Sequence, residues 1–128
     1  MVLITGGSFQ GKLDYALALT GLLRTQVTEG ENCSLESLCN IKILNNFHEI
    51  IKRRLRNEEE ITQFVQQLIR DNPEIIIIVN EIGCGLVPMD SFERNYRETT
   101  GRMCCELAKQ AKQVYRVVCG IGRMIKGD

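Results

Sequence analysis

A chain of 128 residues is the length of one compact domain, and its 44% hydrophobic and 25% charged fractions are those of a globular protein. No apolar run approaches the ~20 residues of a membrane-spanning helix, and Met1-Val2-Leu3-Ile4-Thr5 meets Gly6-Gly7 without the basic and apolar regions of a secretory leader, so the expectation is a cytoplasmic chain with no membrane span. Sixteen basic and sixteen acidic side chains cancel and tryptophan is absent, which argues against nucleic acid as a partner.

Val2-Leu3-Ile4-Thr5 is short, apolar and stopped by glycines, the pattern of a strand buried on both faces of a parallel sheet. A helix is predicted from about Gly11 to Arg24, then a short strand at Gln26-Val27-Thr28, then an irregular polar loop from Glu29 to Cys39. Ile41, Leu44, His48, Ile51 and Leu55 fall at helical spacing, with Lys52, Arg53, Arg54 and Arg56 as cations near the helix carboxyl end. Asn57-Glu58-Glu59-Glu60 resembles a capping box ahead of the apolar stripe Ile61, Phe64, Val65, Leu68 and Ile69, and Asn72-Pro73 ends that helix.

Ile75-Ile76-Ile77-Ile78-Val79 is a run of β-branched residues that reads as a central strand, with Asn80-Glu81 at its carboxyl end. Asp90 is placed to cap a long helix whose Phe92, Tyr96, Met103 and Leu107 face inward, and Tyr115-Arg116-Val117-Val118-Cys119 resumes a strand before Gly120. Strand and helix alternate, so the fold class is α/β: one domain with a mostly parallel sheet and helices packed against it. Ligands of such sheets bind at the strands' carboxyl ends, where Gly6, Glu81 and Gly120 lie. Six cysteines form no C-x-x-C pair and only one histidine is present, which leaves no common zinc set.

The chemistry is carried first by Gly6-Gly7-Ser8-Phe9-Gln10-Gly11-Lys12, which fits the G-x-x-x-x-G-K part of a phosphate-binding loop between a strand and a helix. Glycines let backbone N–H groups converge on phosphate oxygens, the helix amino terminus adds positive potential, and the lysine reaches the terminal phosphates. The next residue is Leu13, where a Ser or Thr would ordinarily offer a hydroxyl to Mg²⁺. Asp14 and Glu81 are the candidate metal carboxylates; Asp14 also suits a first-turn acid on the helix dipole.

Gly6-Gly-x-x-x-Gly-Lys12, Asn80-Glu81-Ile82-Gly83-Cys84-Gly85-Leu86-Val87-Pro88, Arg94-x-x-Arg97-Glu98-x-x-Gly101-Arg102, and Gly120-Ile121 with Lys126 together resemble the cobinamide kinase/cobinamide-phosphate guanylyltransferase family of cobalamin biosynthesis. The resemblance implies a P-loop, RecA-like, three-layer α/β fold that phosphorylates adenosylcobinamide with ATP or GTP and Mg²⁺, and a homo-oligomer, trimeric in that family. It also implies a second reaction, in which a histidine takes GMP from GTP and passes it to adenosylcobinamide phosphate.

His48 is the only candidate for that histidine, and its spacing with Leu44, Ile51 and Leu55 equally suits a packed side chain. Lys12 and Glu81 are the expected catalytic pair, Lys12 stabilising transferred charge and Glu81 organising metal or polarising the attacking hydroxyl. Arg94 and Arg97 lie three apart on one helix, near enough to serve one anion, with Arg102 beyond; a solvated face paired with glutamates is the other reading. Gly101 inside a helix costs up to about 1 kcal/mol against alanine, which calls for close packing or backbone approach to a ligand. The competing functional class is a nucleotide-binding module, regulator or subunit, without phosphoryl transfer.

Overall fold

The computed structural model describes residues 1–36, 38–82 and 90–127. Its elements are β1 (Val2–Gly6), α1 (Lys12–Thr20), a 3-10 turn at Arg24–Gln26, β2 (Val27–Glu29), β3 (Ile43–Asn45), α2 (Phe47–Arg56), α3 (Thr62–Asp71), β4 (Ile76–Asn80), α4 (Ser91–Gln110), β5 (Gln113–Val118) and β6 (Ile121–Lys126). The strands form one sheet in the order β2-β3-β4-β1-β5-β6, parallel throughout except for β6, which returns antiparallel to β5. This is the mostly parallel α/β architecture that the alternating pattern predicts, consistent with the P-loop fold that the family resemblance implies.

β1 lies between β4 and β5, with Leu3 in register with Ile77 and Val114. Alternate residues of these strands feed two cores. Leu3, Leu44, Ile75, Ile77, Val79 and Val114 pack with Ile50 and Ile51 of α2, Val65 and Leu68 of α3, and Met103 and Leu107 of α4. Ile4, Ile43, Ile76, Ile78, Tyr115 and Val117 pack against Ala16 of α1 on the opposite face. A side chain of this size removed from water contributes about 1.5–3 kcal/mol, so strands apolar on both faces belong in the middle of the sheet.

Several sequence expectations change. The segment expected to run helical from Ile41 to Leu55 is a strand followed by a helix, because Asn46 adopts a left-handed conformation (φ 55°) between β3 and α2. Ile43 and Leu44 are strand residues in the core, and only the part from Phe47 onward is helical. α1 stops at Thr20 rather than Arg24, since Gly21 takes φ 73° and returns its N–H to the Leu17 carbonyl. The capping function expected of Asn57-Glu58-Glu59-Glu60 falls to Glu60 alone, whose carboxylate accepts from the Gln63 N–H, while Asn57 ends α2. β6 had no counterpart in the sequence reading.

Asp90 caps α4 as expected, accepting from the Glu93 N–H at 2.7 Å. Asn72, which marked a helix end in sequence, is a buried connector. Its amide nitrogen donates to the Leu38 and Leu68 carbonyls and its oxygen accepts from the Ile41 N–H, tying the polar loop to the end of α3. The basic end of α2 is similarly employed: the Arg53 guanidinium holds the Gly30 and Cys33 carbonyls, and Arg56 lies over the Phe92 ring of α4.

Candidate active site

The carboxyl ends of β1, β3 and β4 converge on a cavity of about 370 Å³ lined by the loop Ser8–Leu13 together with Asn45, Asn46 and Asn80. Residues 7–11 run from β1 into α1, so the helix amino terminus points into this cavity. Its free N–H groups and partial positive charge make it a seat for an anion.

Lys12 is only 7% exposed, and its Nζ donates to the Gly7 carbonyl at 2.6 Å, folding the ammonium over the loop. Burial pushes its pKa down from the usual lysine value, and the nearby Glu81 carboxylate opposes that shift. A buried ammonium whose hydrogen-bond partner in the loop is a single carbonyl oxygen is poised to exchange that acceptor for a phosphate oxygen, a stronger charge-assisted partner.

The loop is fastened at both sides. The Asn80 side chain donates to the Ser8 hydroxyl at 3.0 Å. Across the loop, Gln10 Oε1 accepts from the Cys119 N–H and its carbonyl from the Gly120 N–H, both at 2.7 Å. Cys119 and Gly120 are the two-residue turn of the β5–β6 hairpin, with φ 51° and 77°, the left-handed pair of a type I′ turn. Phe9 at the loop apex is fully exposed and also takes a positive φ of 58°. Gly6 is required by close approach, since a Cβ there would lie 2.5 Å from the Val117 carbonyl oxygen.

Glu81 follows β4, and its backbone N–H donates to the Gly6 carbonyl at 2.8 Å, which sets it beside the loop. Its carboxylate accepts from the Arg116 guanidinium, Nε at 2.7 Å and Nη2 at 3.2 Å, the two-pronged geometry in which Arg holds a carboxylate. Glu81, Asn80, Thr5, Thr100, Gly101 and Cys104 line a second, smaller cavity of about 230 Å³ between the strand ends and α4.

His48, at the start of α2, is 5% exposed. Its Nδ1 accepts the Asn80 backbone N–H at 3.2 Å, and Nε2 lies 3.7 Å from the Glu49 carboxylate. Burial, with the positive charge of Lys12 next in weight, lowers its pKa to about 4, so the ring is neutral near pH 7. Its one available lone pair is engaged in this hydrogen bond.

The structure does not assemble the remaining sequence candidates here. Asp14 is exposed and ion-paired with Arg24 across the first turn of α1, outside the cavity lining. Arg94 and Arg102 are exposed on α4, Arg97 is partly buried, and none lines either cavity among the described residues. Close packing among the described residues does not explain Gly101, since none of their atoms lies within 4 Å of where its Cβ would be. The Gly83, Gly85 and Pro88 loop lies outside the described residues. Sequence reading missed Asn45, Asn46, Thr100 and Arg116 as site residues; the usable signal was the Asn pair directly after Ile43-Leu44, a strand end read as helix.

As a test of metal fit, Leu13 occupies the position of the usual hydroxyl ligand and packs against the core of the α1 face. Glu81 is the carboxylate whose charge is felt at Lys12, and with Arg116 on it a carboxylate still keeps lone pairs for a cation. Among the described residues no group of three or more His, Cys, Asp or Glu gathers. These residues would suit an ion held mainly by phosphates and water, with Glu81 as a candidate protein contact.

Comparison with known proteins adds an independent line. A family model described as cobinamide kinase / cobinamide phosphate guanyltransferase matches residues 35–125, a span that holds Asn80-Glu81, α4 and the β5–β6 hairpin but begins after the phosphate loop. The chain is 37% identical over 73 residues to the bifunctional adenosylcobalamin biosynthesis protein CobU of Escherichia coli, covering 54% of this chain and 40% of that protein. It is 35% identical over 69 residues to the CobU of Salmonella typhimurium, covering 54% and 38%. With the bifunctional adenosylcobalamin biosynthesis protein CobP of Pseudomonas aeruginosa it shares 27% identity over 117 residues, 91% of this chain and 65% of that one. The chain therefore spans between 38% and 65% of the length of these relatives. With that match over most of its length, on a P-loop α/β sheet, the chain belongs to the cobinamide kinase / cobinamide phosphate guanyltransferase family.

Proposed function

We propose that this chain is a nucleotide-dependent phosphotransferase of cobalamin biosynthesis that uses ATP or GTP to phosphorylate the alcohol arm of adenosylcobinamide. The observation that carries the reading is the buried Lys12 ammonium on the Gly7 carbonyl, at a helix amino terminus that opens into a cavity of about 370 Å³. In the transfer, the alcohol oxygen forms a bond to the γ-phosphorus while the bond from that phosphorus to the β–γ bridging oxygen breaks. The nucleoside diphosphate leaves with the electron pair, and the alcohol proton passes to Glu81 or to water. Lys12 neutralises charge on the γ-phosphoryl oxygens, and the loop N–H groups hold the phosphates in line. Mg²⁺, when bound with the nucleotide, supplies further charge neutralisation next to Glu81; Asp14, committed to Arg24, is left out of that role.

Guanylyl transfer is the less supported half. A histidine nucleophile needs an imidazole lone pair facing the α-phosphate, whereas His48 spends its Nδ1 lone pair on the Asn80 N–H and does not line the phosphate cavity. His48 is therefore read as a positioning residue for Asn80, and any GMP transfer as the work of other groups. Leu13 favours a second reading, a nucleotide-binding module without turnover, because it removes the usual metal hydroxyl.

Incubation with γ-labelled and α-labelled GTP, with and without adenosylcobinamide, separates these. Label from the γ-position on the corrinoid supports the kinase. Acid-labile α-label on the protein would overturn the reading of His48. Tight GTP binding with neither label transferred would favour the module.

A further inference from the structure

We infer that the cavity of about 230 Å³ between the ends of β1 and β4 and the middle of α4 is the seat of the acceptor's alcohol arm, with the Thr100 hydroxyl as its hydrogen-bonding partner. This rests on the phosphotransferase reading and deepens it by naming which residues hold the acceptor.

The first observation is an orphaned hydroxyl. Thr100 is 1% exposed, lines the cavity, and its Oγ1 has no hydrogen-bond partner among the described residues. A buried hydroxyl without a partner is unfavourable. Helical threonines commonly avoid that cost by donating back four residues, as Thr20 Oγ1 does to the Ala16 carbonyl at 2.8 Å. Thr100 does not.

The second observation is space that helix physics does not favour. Gly101 sits in the interior of a 20-residue helix, where glycine is unfavourable, yet among the described residues nothing occupies the position of its missing Cβ. Among the described residues no packing contact accounts for this exposed glycine, which borders the cavity. Cys104, one turn on, completes that wall, and burial raises its thiol pKa to about 11, so it presents a neutral surface.

The third observation is charge. Glu81 brings a carboxylate to the cavity, which disfavours an anion there, and the Arg116 guanidinium on that carboxylate partly balances its charge. A neutral donor–acceptor such as an aliphatic alcohol suits the combination of an apolar wall, a waiting hydroxyl and a carboxylate. Asn80 lines both cavities, so the alcohol would lie next to the phosphate site. The volume admits a short branched arm and leaves any large ring system outside.

The experiment is a titration of adenosylcobinamide into the protein carrying a non-hydrolysable GTP analogue, using wild type, Thr100→Val, Thr100→Ser and Gly101→Ala, with GTP affinity and melting temperature measured in parallel. Thr100→Val is expected to weaken corrinoid binding about tenfold, leave GTP affinity within twofold, and keep or raise the melting temperature, since it removes an unpaired buried polar group. Thr100→Ser should bind like wild type, and Gly101→Ala should raise the melting temperature while weakening the corrinoid. Wild-type corrinoid affinity in both Thr100→Val and Gly101→Ala would overturn this seat while leaving the phosphotransferase reading intact. Absence of corrinoid binding by wild type that still binds the GTP analogue would overturn the substrate reading and the seat together.

Discussion

The backbone N–H of Asn80 donates to Nδ1 of His48 at 3.2 Å, joining the end of β4 to the first turn of α2 across 32 residues of sequence. This bond requires the imidazole unprotonated at Nδ1, and burial with Lys12 nearby holds the folded-state pKa at about 4 against an ordinary 6.5. Above pH 6.5 both folded and unfolded states carry a neutral ring, so His48 adds no pH dependence there. Between about 6.5 and 4 the unfolded chain binds the extra proton, and stability falls as the pH falls, by up to about 3 kcal/mol at the lower end. As the chain's single histidine, His48 can be isolated by comparing wild type with His48→Asn in urea titrations from pH 8 to pH 4. The variant should be less stable at pH 8 and lose less on acidification. Parallel acid sensitivity of the two proteins would contradict this assignment.

Lys12→Met keeps most of the aliphatic stem and removes the charge. Because the ammonium is desolvated and its bond to the Gly7 carbonyl is local to the loop, the melting temperature should change little, while nucleoside triphosphate affinity falls by roughly tenfold or more. Calorimetric titration with GTP reads the second effect and thermal unfolding the first. Unchanged affinity would remove the loop from nucleotide binding.

Gly6→Ala puts a methyl group 2.5 Å from the Val117 carbonyl, a backbone atom of the neighbouring strand. β1 and β5 would have to move apart, and the expected loss is about 3 kcal/mol or more, visible as a large shift in the denaturant midpoint.

Asn72→Ala leaves the Ile41 N–H and the Leu38 carbonyl without their side-chain partner in a largely buried place. A loss of about 2–4 kcal/mol is expected, from two unmade hydrogen bonds and a small cavity, with nucleotide affinity at saturating fold unchanged. Hydrogen exchange should show the Ile41 amide as the first to lose protection.

Gln10→Ala removes the acceptor of the Cys119 N–H but leaves the backbone bond from Gly120 to residue 10. Since the freed N–H lies near solvent, stability should drop by no more than about 1 kcal/mol. Nucleotide affinity should fall several-fold through a less ordered loop, measured at constant Mg²⁺.

The sheet's centre was legible because Leu3-Ile4 and Ile75 through Val79 are buried on both faces, and nothing but a central strand suits such runs. The strand–loop–helix passage from Gly6 to Lys12 was legible from glycine and lysine spacing. β3 was not: Ile43 and Leu44 belong to opposite cores, yet with Ile41, His48 and Ile51 they mimic a helical period, and a short strand cannot outweigh a neighbouring helix in such a pattern. β6 escaped because its Ile121, Met124 and Ile125 are exposed at the sheet edge, leaving no inside–outside alternation to read. Within the site, Asp14 pairs with Arg24 and Glu81 with Arg116, and spacing along the chain carries no signal for either pairing.

The clasp between Gln10 and the Cys119-Gly120 turn joins residues 109 positions apart. The loop is held on that side only where β5 lies beside β1 and the hairpin has turned, so this clasp depends on contacts between opposite ends of the chain. A triphosphate that needed the closed loop would bind only to chains whose opposite ends have met, and its binding energy would be drawn into the stability of the whole sheet by mass action. On the proposed function, nucleotide concentration would act on this chain as a folding variable as well as a substrate supply, and hydrogen exchange across β6, with and without GTP, would register that long-range coupling directly.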